Sequence, residues 1–175
     1  MKLIVIDMQK EIVVDELYNF RNFKNNVIKL VSTARSNNIE VIFIKHDAGA
    51  NSNMSEGDIG FEIIDEIKPQ NTEKTFVKTI NSCFGNIEFN NYLEKENDKE
   101  LMIIGLQTDF CIDATIKSAF EKGYNIIVPK DANSTFDNDI LKGLTICRFY
   151  NEWVWPGTFS EVVNMKEAIK LLNKD

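Results

Sequence analysis

Histidine, cysteine and proline are scarce in this chain, with one, three and three copies among 175 residues. The cysteines are widely separated, at Cys83, Cys111 and Cys147. One histidine, His46, and three distant cysteines cannot supply the closely spaced ligands of a zinc finger. No Cys-x-x-Cys pair exists, which excludes thioredoxin-type redox chemistry. A histidine-based catalytic triad would have to use His46, so reactive groups must be sought among other residue types.

Basic residues are also in the minority, because 27 acidic residues face 20 basic ones and leave a formal net charge of −7. Such a balance excludes the extended basic face that binds nucleic acid. No apolar run approaches the roughly 20 residues of a membrane-spanning helix. Only four apolar residues follow Lys2, whereas the apolar region of an export signal has about 7–15 residues. With an odd number of cysteines, these features predict a cytoplasmic protein without membrane or nucleic-acid partners.

Short apolar runs alternate with amphipathic segments along the chain. The predicted strands are 3–6, 40–45, 75–77, 101–106 and 124–128, with a further strand at 149–155, and the predicted helices are 19–37, 87–96, 110–122, 138–147 and 165–172. This alternation is typical of βαβ units around a parallel sheet. No linker or repeat divides the chain. We therefore expect one domain over residues 1–175, a Rossmann-like α/β fold: a three-layer α/β/α sandwich with a mostly parallel central sheet of five to six strands.

The carboxyl ends of the strands are where such sheets place their function. Asp7 directly follows the first apolar run, so partial loss of hydration would raise its pKa and make it a competent base. An equally good interpretation of Asp7 alone is a residue of the turn that ends the strand. Lys78 follows the third predicted strand. Residues 47–60 are polar with three glycines, and a loop of that length is typical of an active-site lid.

Cys111 stands near the start of the predicted helix 110–122, with Thr108 or Asp109 as the expected N-cap. A thiol in the first turn of a helix can have a lowered pKa, because the helix dipole stabilises the thiolate. The alternative is a small buried core residue, which is the interpretation we favour for Cys83 and Cys147. Glycine-rich phosphate-binding motifs are absent from the chain, so nothing specific indicates a nucleotide.

Four segments together resemble one family, the isochorismatase-like cysteine hydrolases. They are the motifs IVIDMQ at 4–9, KTINSCF at 78–84, GLQTDFCIDAT at 105–115 followed by Ala119, and VPKDANS at 128–134. All four occur in the family's order across residues 4–134. One match would carry little weight, but four at suitable spacing make the resemblance specific.

The resemblance implies a catalytic triad of Asp7, Lys78 and Cys111. Lys74 is a competing lysine, but the spacing of Lys78 to the following Ser and Phe fits the family. In the implied reaction, Asp7 takes the thiol proton and the thiolate attacks an amide-like carbonyl group to form a thioester. The backbone N–H groups of Gln107 and Cys111 would form the oxyanion hole. A cis peptide bond between Leu106 and Gln107 is also implied.

Departures from the family narrow the expected activity. Nicotinamidases of this family hold a metal with an aspartate and several histidines, whereas this chain has only His46 and Asp47 at that place, too few ligands for a tightly held metal. We therefore expect no metal and no cofactor. The branch that cleaves the vinyl ether of isochorismate lacks the cysteine nucleophile, so Cys111 favours the amidase branch.

The sequence thus predicts a hydrolase that cleaves an amide or ureido C–N bond of a small molecule. Phe84, Phe110 and the 47–60 loop are the candidates for shaping its pocket. The chain has only three arginines, which favours a neutral or singly charged substrate. We expect a homodimer or higher homo-oligomer. The alternatives are a catalytically silent interaction protein that associates through Trp153 and Trp155, a flavodoxin-like cofactor carrier, and a vinyl-ether hydrolase.

Overall fold

The computed structural model describes residues 1–96 and 98–173. The strands are β1 (Lys2–Ile6), β2 (Val41–His46), β3 (Lys74–Lys78), β4 (Glu100–Leu106), β5 (Asn125–Pro129), β6 (Asn133–Ser134) and β7 (Glu161–Val163). The helices are α1 (Phe20–Ser36), α2 (Ile87–Lys95), α3 (Asp113–Glu121), α4 (Gly143–Phe149) and α5 (Met165–Leu172). The predicted alternation of strands and helices is confirmed.

All strand pairs are parallel, and the order in the sheet is β3-β2-β1-β4-β5-β7, with the short β6 paired to β4. Apolar side chains of β1 alternate between the two faces. Leu3 and Val5 pack with α1 and α5, whereas Ile4 and Ile6 pack with α2 and α3. The predicted three-layer α/β class is therefore confirmed, with a sheet of seven strands instead of five to six.

The strand order reverses between β1 and β4. From β1 the chain adds β2 and β3 on one side, and it then crosses to β4 and continues outward on the other side. A crevice opens at the carboxyl ends of strands where the order reverses in this way. Asp7, which follows β1, and the turn after β4 flank this crevice.

The prediction of a strand at 149–155 is wrong. The chain is helical there, because α4 continues into a π-helical turn at Tyr150–Val154. Asn151 is buried in that turn, where its amide donates to the carbonyl of Cys147 at 2.8 Å and pairs with Asn133. These buried hydrogen bonds keep an aromatic-rich, strand-prone segment helical. The last strand is instead β7, and the predicted helix 138–147 begins only at Gly143.

The two tryptophans have different positions in the fold. Trp155 is fully buried in the core beside α3, and its ring nitrogen donates to the Asp113 carboxylate at 2.9 Å. Trp153 is 78% exposed. Trp155 is thus a core residue, and Trp153 contributes to the surface. Among the described residues, no helix has the length and apolar character needed to cross a bilayer.

Candidate active site

The ends of β1 and β4 approach each other too closely for a side chain to stand between them. A Cβ added to Gly105 would lie 2.0 Å from the Ile6 carbonyl oxygen, and the φ of Gly105 is +120°. Only glycine enters that region easily. Asp7 follows Ile6 with a φ of +52°, a left-handed conformation that aspartate tolerates better than most residues. The backbone therefore brings Asp7 beside the turn after β4.

Lys78, at the end of β3, has a fully buried side chain and three hydrogen-bond acceptors around its ammonium group. Nζ lies 2.8 Å from Oδ2 of Asp7, 3.1 Å from Sγ of Cys111 and 3.0 Å from Nδ1 of His46. An ammonium group carries three protons, so each has a partner. Burial lowers the pKa of Lys78, but the Asp7 carboxylate beside it, with smaller contributions from the neighbouring cysteine sulfurs, raises the pKa overall. The lysine is therefore positively charged.

Asp7 is the buried partner of that ammonium. Burial raises the pKa of its carboxyl group, and the charge of Lys78 counteracts only part of the shift. Oδ2 is held by Lys78, whereas Oδ1 has no hydrogen-bond partner among the described residues. A buried carboxylate oxygen without a partner is costly. This oxygen is free to receive a proton.

Cys111 belongs to a π-helical turn, Thr108–Ile112, that leads into α3. Neither Thr108 nor Asp109 caps this turn: the preceding residue, Gln107, takes the N-cap position without a side-chain cap. The predicted lowering of the thiol pKa is wrong. Burial and the charge of Asp7 raise the pKa of Cys111 to about 12, although Lys78 opposes them. The resting group is therefore a thiol beside a base, not a preformed thiolate.

Buried side-chain hydrogen bonds support the turn that carries Cys111. Thr108 donates to Oδ1 of Asn133 at 2.8 Å, and Asn133 and Asn151 exchange amide hydrogen bonds at 2.9 Å. On the outer side, Thr135 donates to the Asp109 carboxylate at 2.6 Å. Asn133, in the segment 128–134 that resembles the family, therefore stabilises this turn through buried hydrogen bonds.

His46, at the end of β2, completes the cluster. It is the register partner of Lys78 in the β2–β3 ladder. Gln9, fully buried, fixes its backbone: Oε1 accepts from the His46 N–H at 2.7 Å, and Nε2 donates to the His46 carbonyl at 3.0 Å. The sequence indicates His46 as the one histidine that a histidine-based triad could use and as a weak metal ligand, but not as a contact of Lys78. The signal that could have revealed its contact with Lys78 is that both residues end adjacent strands.

The remaining predicted site residues are placed differently from one another. The peptide bond between Leu106 and Gln107 is cis, as the resemblance implied, and Gln107 is the N-cap of the turn that contains Cys111. Phe110 lies in that turn and is half exposed. Phe84 instead packs against Phe89 and Tyr124, with ring centroids 5.3 and 5.7 Å apart. The structure therefore does not bring Phe84 to Cys111.

Phe84 also lies under the ammonium of Lys122, which follows the last residue of α3, 5.7 Å from the ring centroid. Cys111 precedes the first residue of the same helix. The phenylalanine thus lies toward the opposite end of α3, partly buried against Phe89 and Tyr124.

Side chains of metal-binding types do meet at the site. A ligand atom from each of Asp7, His46 and Cys111 lies within 4.8 Å of the other two. However, the Lys78 ammonium contacts all three residues, so a positive charge already stands among them. Asp47 turns away, because its Oδ1 accepts from Gly49 N and Ser55 Oγ. The donor set does not fit a tightly bound cation, and the absence of a metal stays a prediction.

Fold and site together define a parallel α/β domain with an Asp–Lys–Cys cluster at the strand-order reversal. The sequence matches the isochorismatase domain over residues 2–143, and the chain belongs to the isochorismatase family. It is 32% identical over 145 residues to the isochorismatase family protein YddQ of Bacillus subtilis, covering 76% of this chain and 77% of that protein. It is 30% identical over 152 residues to nicotinamidase 3 of Arabidopsis thaliana, covering 79% and 75%.

Solved structures agree with this assignment. A crystal structure of an isochorismatase family protein superposes with a TM-score of 0.84 at 27% identity, covering 93% of this chain and 97% of that one. N-carbamoylsarcosine amidase from Thermoplasma acidophilum shares the fold, with a TM-score of 0.75 at 22% identity over 94% of this chain and 97% of that one. A more distant sequence relative is the ureidoacrylate amidohydrolase RutB of Agrobacterium fabrum, 23% identical over 108 residues, 62% of this chain and 47% of that protein. The chain is therefore an isochorismatase-family hydrolase with amidases among its relatives.

Proposed function

We propose that this hydrolase cleaves an amide or ureido C–N bond of a small molecule through a thioester on Cys111. The observation that carries the proposal is the arrangement around Lys78. One buried ammonium contacts both the thiol sulfur, at 3.1 Å, and the carboxylate, at 2.8 Å, while the second carboxylate oxygen is unpartnered among the described residues. A nucleophile, a base and a fixed positive charge are thus in one place.

In the proposed reaction, the Cys111 S–H proton passes to Asp7 as the sulfur attacks the carbonyl carbon. Lys78 stabilises the thiolate as it forms and holds the carboxylate in place. The backbone N–H groups of Gln107 and Cys111 bind the negative oxygen of the tetrahedral intermediate. The C–N bond then breaks, and Asp7 returns the proton to the leaving nitrogen.

Water completes the cycle. Asp7 takes a proton from the water as its oxygen attacks the thioester carbon, and the C–S bond breaks to release the acid. The sulfur recovers a proton from Asp7. The sum is one amide and one water converted to one acid and one amine or ammonia. The raised pKa of Asp7 suits this role, because a base that must also act as an acid works best with a pKa nearer the working pH.

Two considerations favour a C–N bond over the vinyl ether of isochorismate. The first is Cys111, because thioester formation needs a nucleophile that vinyl-ether cleavage does not. The second is that named relatives are a nicotinamidase and an amidohydrolase. Nicotinamide is not our preferred substrate, since the chain has a single histidine where nicotinamidases use several for a metal.

The decisive experiment is release of ammonia from a panel of small carboxamides and ureido compounds, followed with a coupled ammonia assay. We expect turnover of at least one compound by the wild type and none by Cys111→Ala. Cys147→Ser is the matched control, because this thiol contacts Thr108 at 3.4 Å and the serine hydroxyl can keep that contact, so the variant should keep its activity. Substantial turnover by Cys111→Ala would refute covalent catalysis. Inactivity of the wild type on every compound would favour the silent interaction protein.

We also propose that the chain self-associates. Leu144, Phe149 and Trp153 form an exposed apolar stripe along α4 and the following turn. Arg148 and Glu152 lie beside it and form an ion pair with each other at 3.2 Å, so two copies related by a twofold axis can exchange these partners reciprocally. Light scattering after size exclusion tests this: the wild type should elute as a dimer or larger, and Trp153→Glu should shift it to a monomer. A monomeric wild type would contradict self-association.

A further inference from the structure

The third contact of the Lys78 ammonium has no role in the reaction described so far. Asp7 and Cys111 each accept one N–H as reactants. The remaining acceptor is Nδ1 of His46, 3.0 Å from Nζ. An ammonium group only donates, so Nδ1 must present a lone pair and the ring must be neutral with its proton on Nε2.

The position of His46 is fixed by the fold. It stands directly across the β2–β3 ladder from Lys78, and the buried side chain of Gln9 holds both its N–H and its carbonyl. The adjacent Asp47 is engaged with Gly49 and Ser55 of the following loop. The backbone of His46 is therefore held by hydrogen bonds, and its imidazole lies next to the Lys78 side chain.

Without this contact, the ammonium would have one proton unpaired in a buried site. An unsatisfied buried donor is costly, so the lysine would rotate to find another acceptor. Any such rotation changes its distances to the thiol and the carboxylate at the same time. The acceptor on His46 thus restricts the ammonium to the one orientation that serves both reactants.

We propose that His46 is a positioning residue, which holds the Lys78 ammonium between Asp7 and Cys111 by accepting its third N–H at Nδ1. The catalytic consequence rests on the proposed function, whereas the hydrogen bond itself does not. Protonation of His46 places a proton on Nδ1, which then no longer accepts a hydrogen bond. The rate of hydrolysis should therefore fall as His46 becomes charged. Protonation of His46 therefore adds a second titrating group, beside Asp7, to the loss of activity toward acid pH.

Several charged groups face the imidazole. Burial and the neighbouring Lys78 ammonium lower the pKa of His46, while the charges of Asp7 and Asp47 raise it. The shift downward shows that burial and Lys78 prevail. The ring is therefore neutral at neutral pH, as the hydrogen bond from Lys78 requires.

Because the chain contains one histidine, nitrogen-15 NMR of the labelled protein reports on His46 without assignment work. We expect the tautomer with the proton on Nε2 and a titration midpoint below the ordinary value of 6.5. Lys78→Met should raise that midpoint, and Asp47→Asn should lower it. A proton on Nδ1 in the neutral protein, or a midpoint unmoved by Lys78→Met, would overturn the proposal.

Activity provides the second readout, on whichever amide the panel identifies. His46→Leu removes the acceptor and should lower kcat about tenfold or more, since it deletes a hydrogen bond to a charged group. His46→Asn places an amide oxygen near the position of Nδ1 and should restore most of kcat. Its activity should also decline less steeply toward acid pH than that of the wild type, because only Asp7 then titrates.

Equal kcat in the wild type and His46→Leu, with identical pH profiles, would overturn the positioning role. Failure of the proposed function is recognised separately, because it is defined by activity of Cys111→Ala. The NMR titration remains informative in that case, since it needs no substrate. A lowered unfolding midpoint in both His46 variants, with unchanged pH profiles, would assign His46 a structural role only and would also overturn the proposal.

Discussion

Two buried lysines lie at opposite ends of the strands of the same sheet, which we call the amino edge and the carboxyl edge. Each lysine has carboxylate partners. Lys78 ends β3 at the carboxyl edge, where its partner Asp7 is buried. Lys2 begins β1 at the amino edge, where it pairs with Glu40 and Glu96, whose side chains are 30% and 42% exposed. Both lysines have a raised pKa despite their burial. The residue types are alike, but their surroundings differ.

The difference shows what makes a charged pair reactive. The carboxylates around Lys2 reach water, so their charge is solvated and they need no other partner. Asp7 cannot reach water and keeps one oxygen unpartnered among the described residues. Only the carboxyl edge adds a thiol, Cys111, within hydrogen-bond distance of the ammonium. This contrast supports the proposed assignment of the reaction to Asp7, Lys78 and Cys111, and of a structural role to the ion pairs of Lys2.

The largest expected difference between the two lysines is in catalysis. Lys78→Met should lower ammonia release by about a thousandfold, since it removes the charge that stabilises the thiolate and orients the base. Lys2→Met should stay within about twofold of the wild type, because the ion pairs of Lys2 lie at the opposite ends of the strands and contact none of the reacting groups. The measurement is the initial rate on the amide identified by the panel. Comparable losses of activity in both variants would contradict a catalytic role that is specific to Lys78.

The next largest difference is in stability, measured as the free energy of unfolding in urea. Lys78→Met leaves a buried carboxylate unpaired and should cost about 3 kcal/mol at neutral pH. Lys2→Met should cost about 1 kcal/mol, because its partners are solvated.

The pH dependence of these two costs should also differ. Burial already raises the pKa of Asp7 above its ordinary 3.8, and loss of Lys78 raises it further. A folded state that binds the proton more tightly keeps its stability at low pH and loses it as pH rises through the folded pKa. The cost of Lys78→Met should therefore shrink on acidification. A cost that grew toward acid pH would contradict the buried position of Asp7.

A smaller effect concerns the thiols. Near pH 7, iodoacetamide should modify Cys111 about tenfold faster than Cys83 or Cys147, because Cys111 lies beside Asp7 and in contact with the Lys78 ammonium. The pKa values are raised to about 12, 12 and 11 respectively, so none of the three is a thiolate at rest. Asp7→Asn should therefore slow the modification of Cys111 toward the rate of the other two. Mass spectrometry of tryptic peptides follows each site, and equal rates for all three thiols would exclude an activated nucleophile.

The smallest expected effect is that of a chelator. EDTA should leave activity within about twofold of the untreated rate, since the Lys78 ammonium already lies between the groups that would bind a cation. Addition of zinc after dialysis should not increase the rate. Strong inhibition by EDTA that zinc reverses would show that a metal, not the lysine, provides the positive charge at this edge.

Much of the fold could be predicted from the sequence. The apolar runs of β1, β2, β4 and β5 lie within about two residues of their predicted bounds, because a buried parallel strand must be apolar on both faces. The prediction for 149–155 failed because its aromatic residues favour a strand, whereas its structure depends on hydrogen bonds between Asn151 and Asn133, which is distant in sequence. β7 has three residues, too few to leave a pattern.

The site could be predicted in its parts but not in its geometry. Asp7, Lys78 and Cys111 each follow a strand or open a helix, and the structure brings all three together. The role of His46 depended on β2 and β3 being neighbours in register, which local sequence does not encode. The prediction for the Cys111 pKa failed for a related reason, because burial and the charge of Asp7 come from distant parts of the chain.

Gly105 controls the separation of Asp7 and Cys111, the proposed base and nucleophile. Because Gly105 has no side chain, the backbone of β4 packs directly against the Ile6 carbonyl group. The distance between Asp7 and the Cys111 turn is therefore determined by a contact between two backbone segments. Side chains that contact a substrate can then be exchanged without altering that interval. The spacing that the proposed reaction needs therefore depends on one backbone contact and not on the side chains that surround the site.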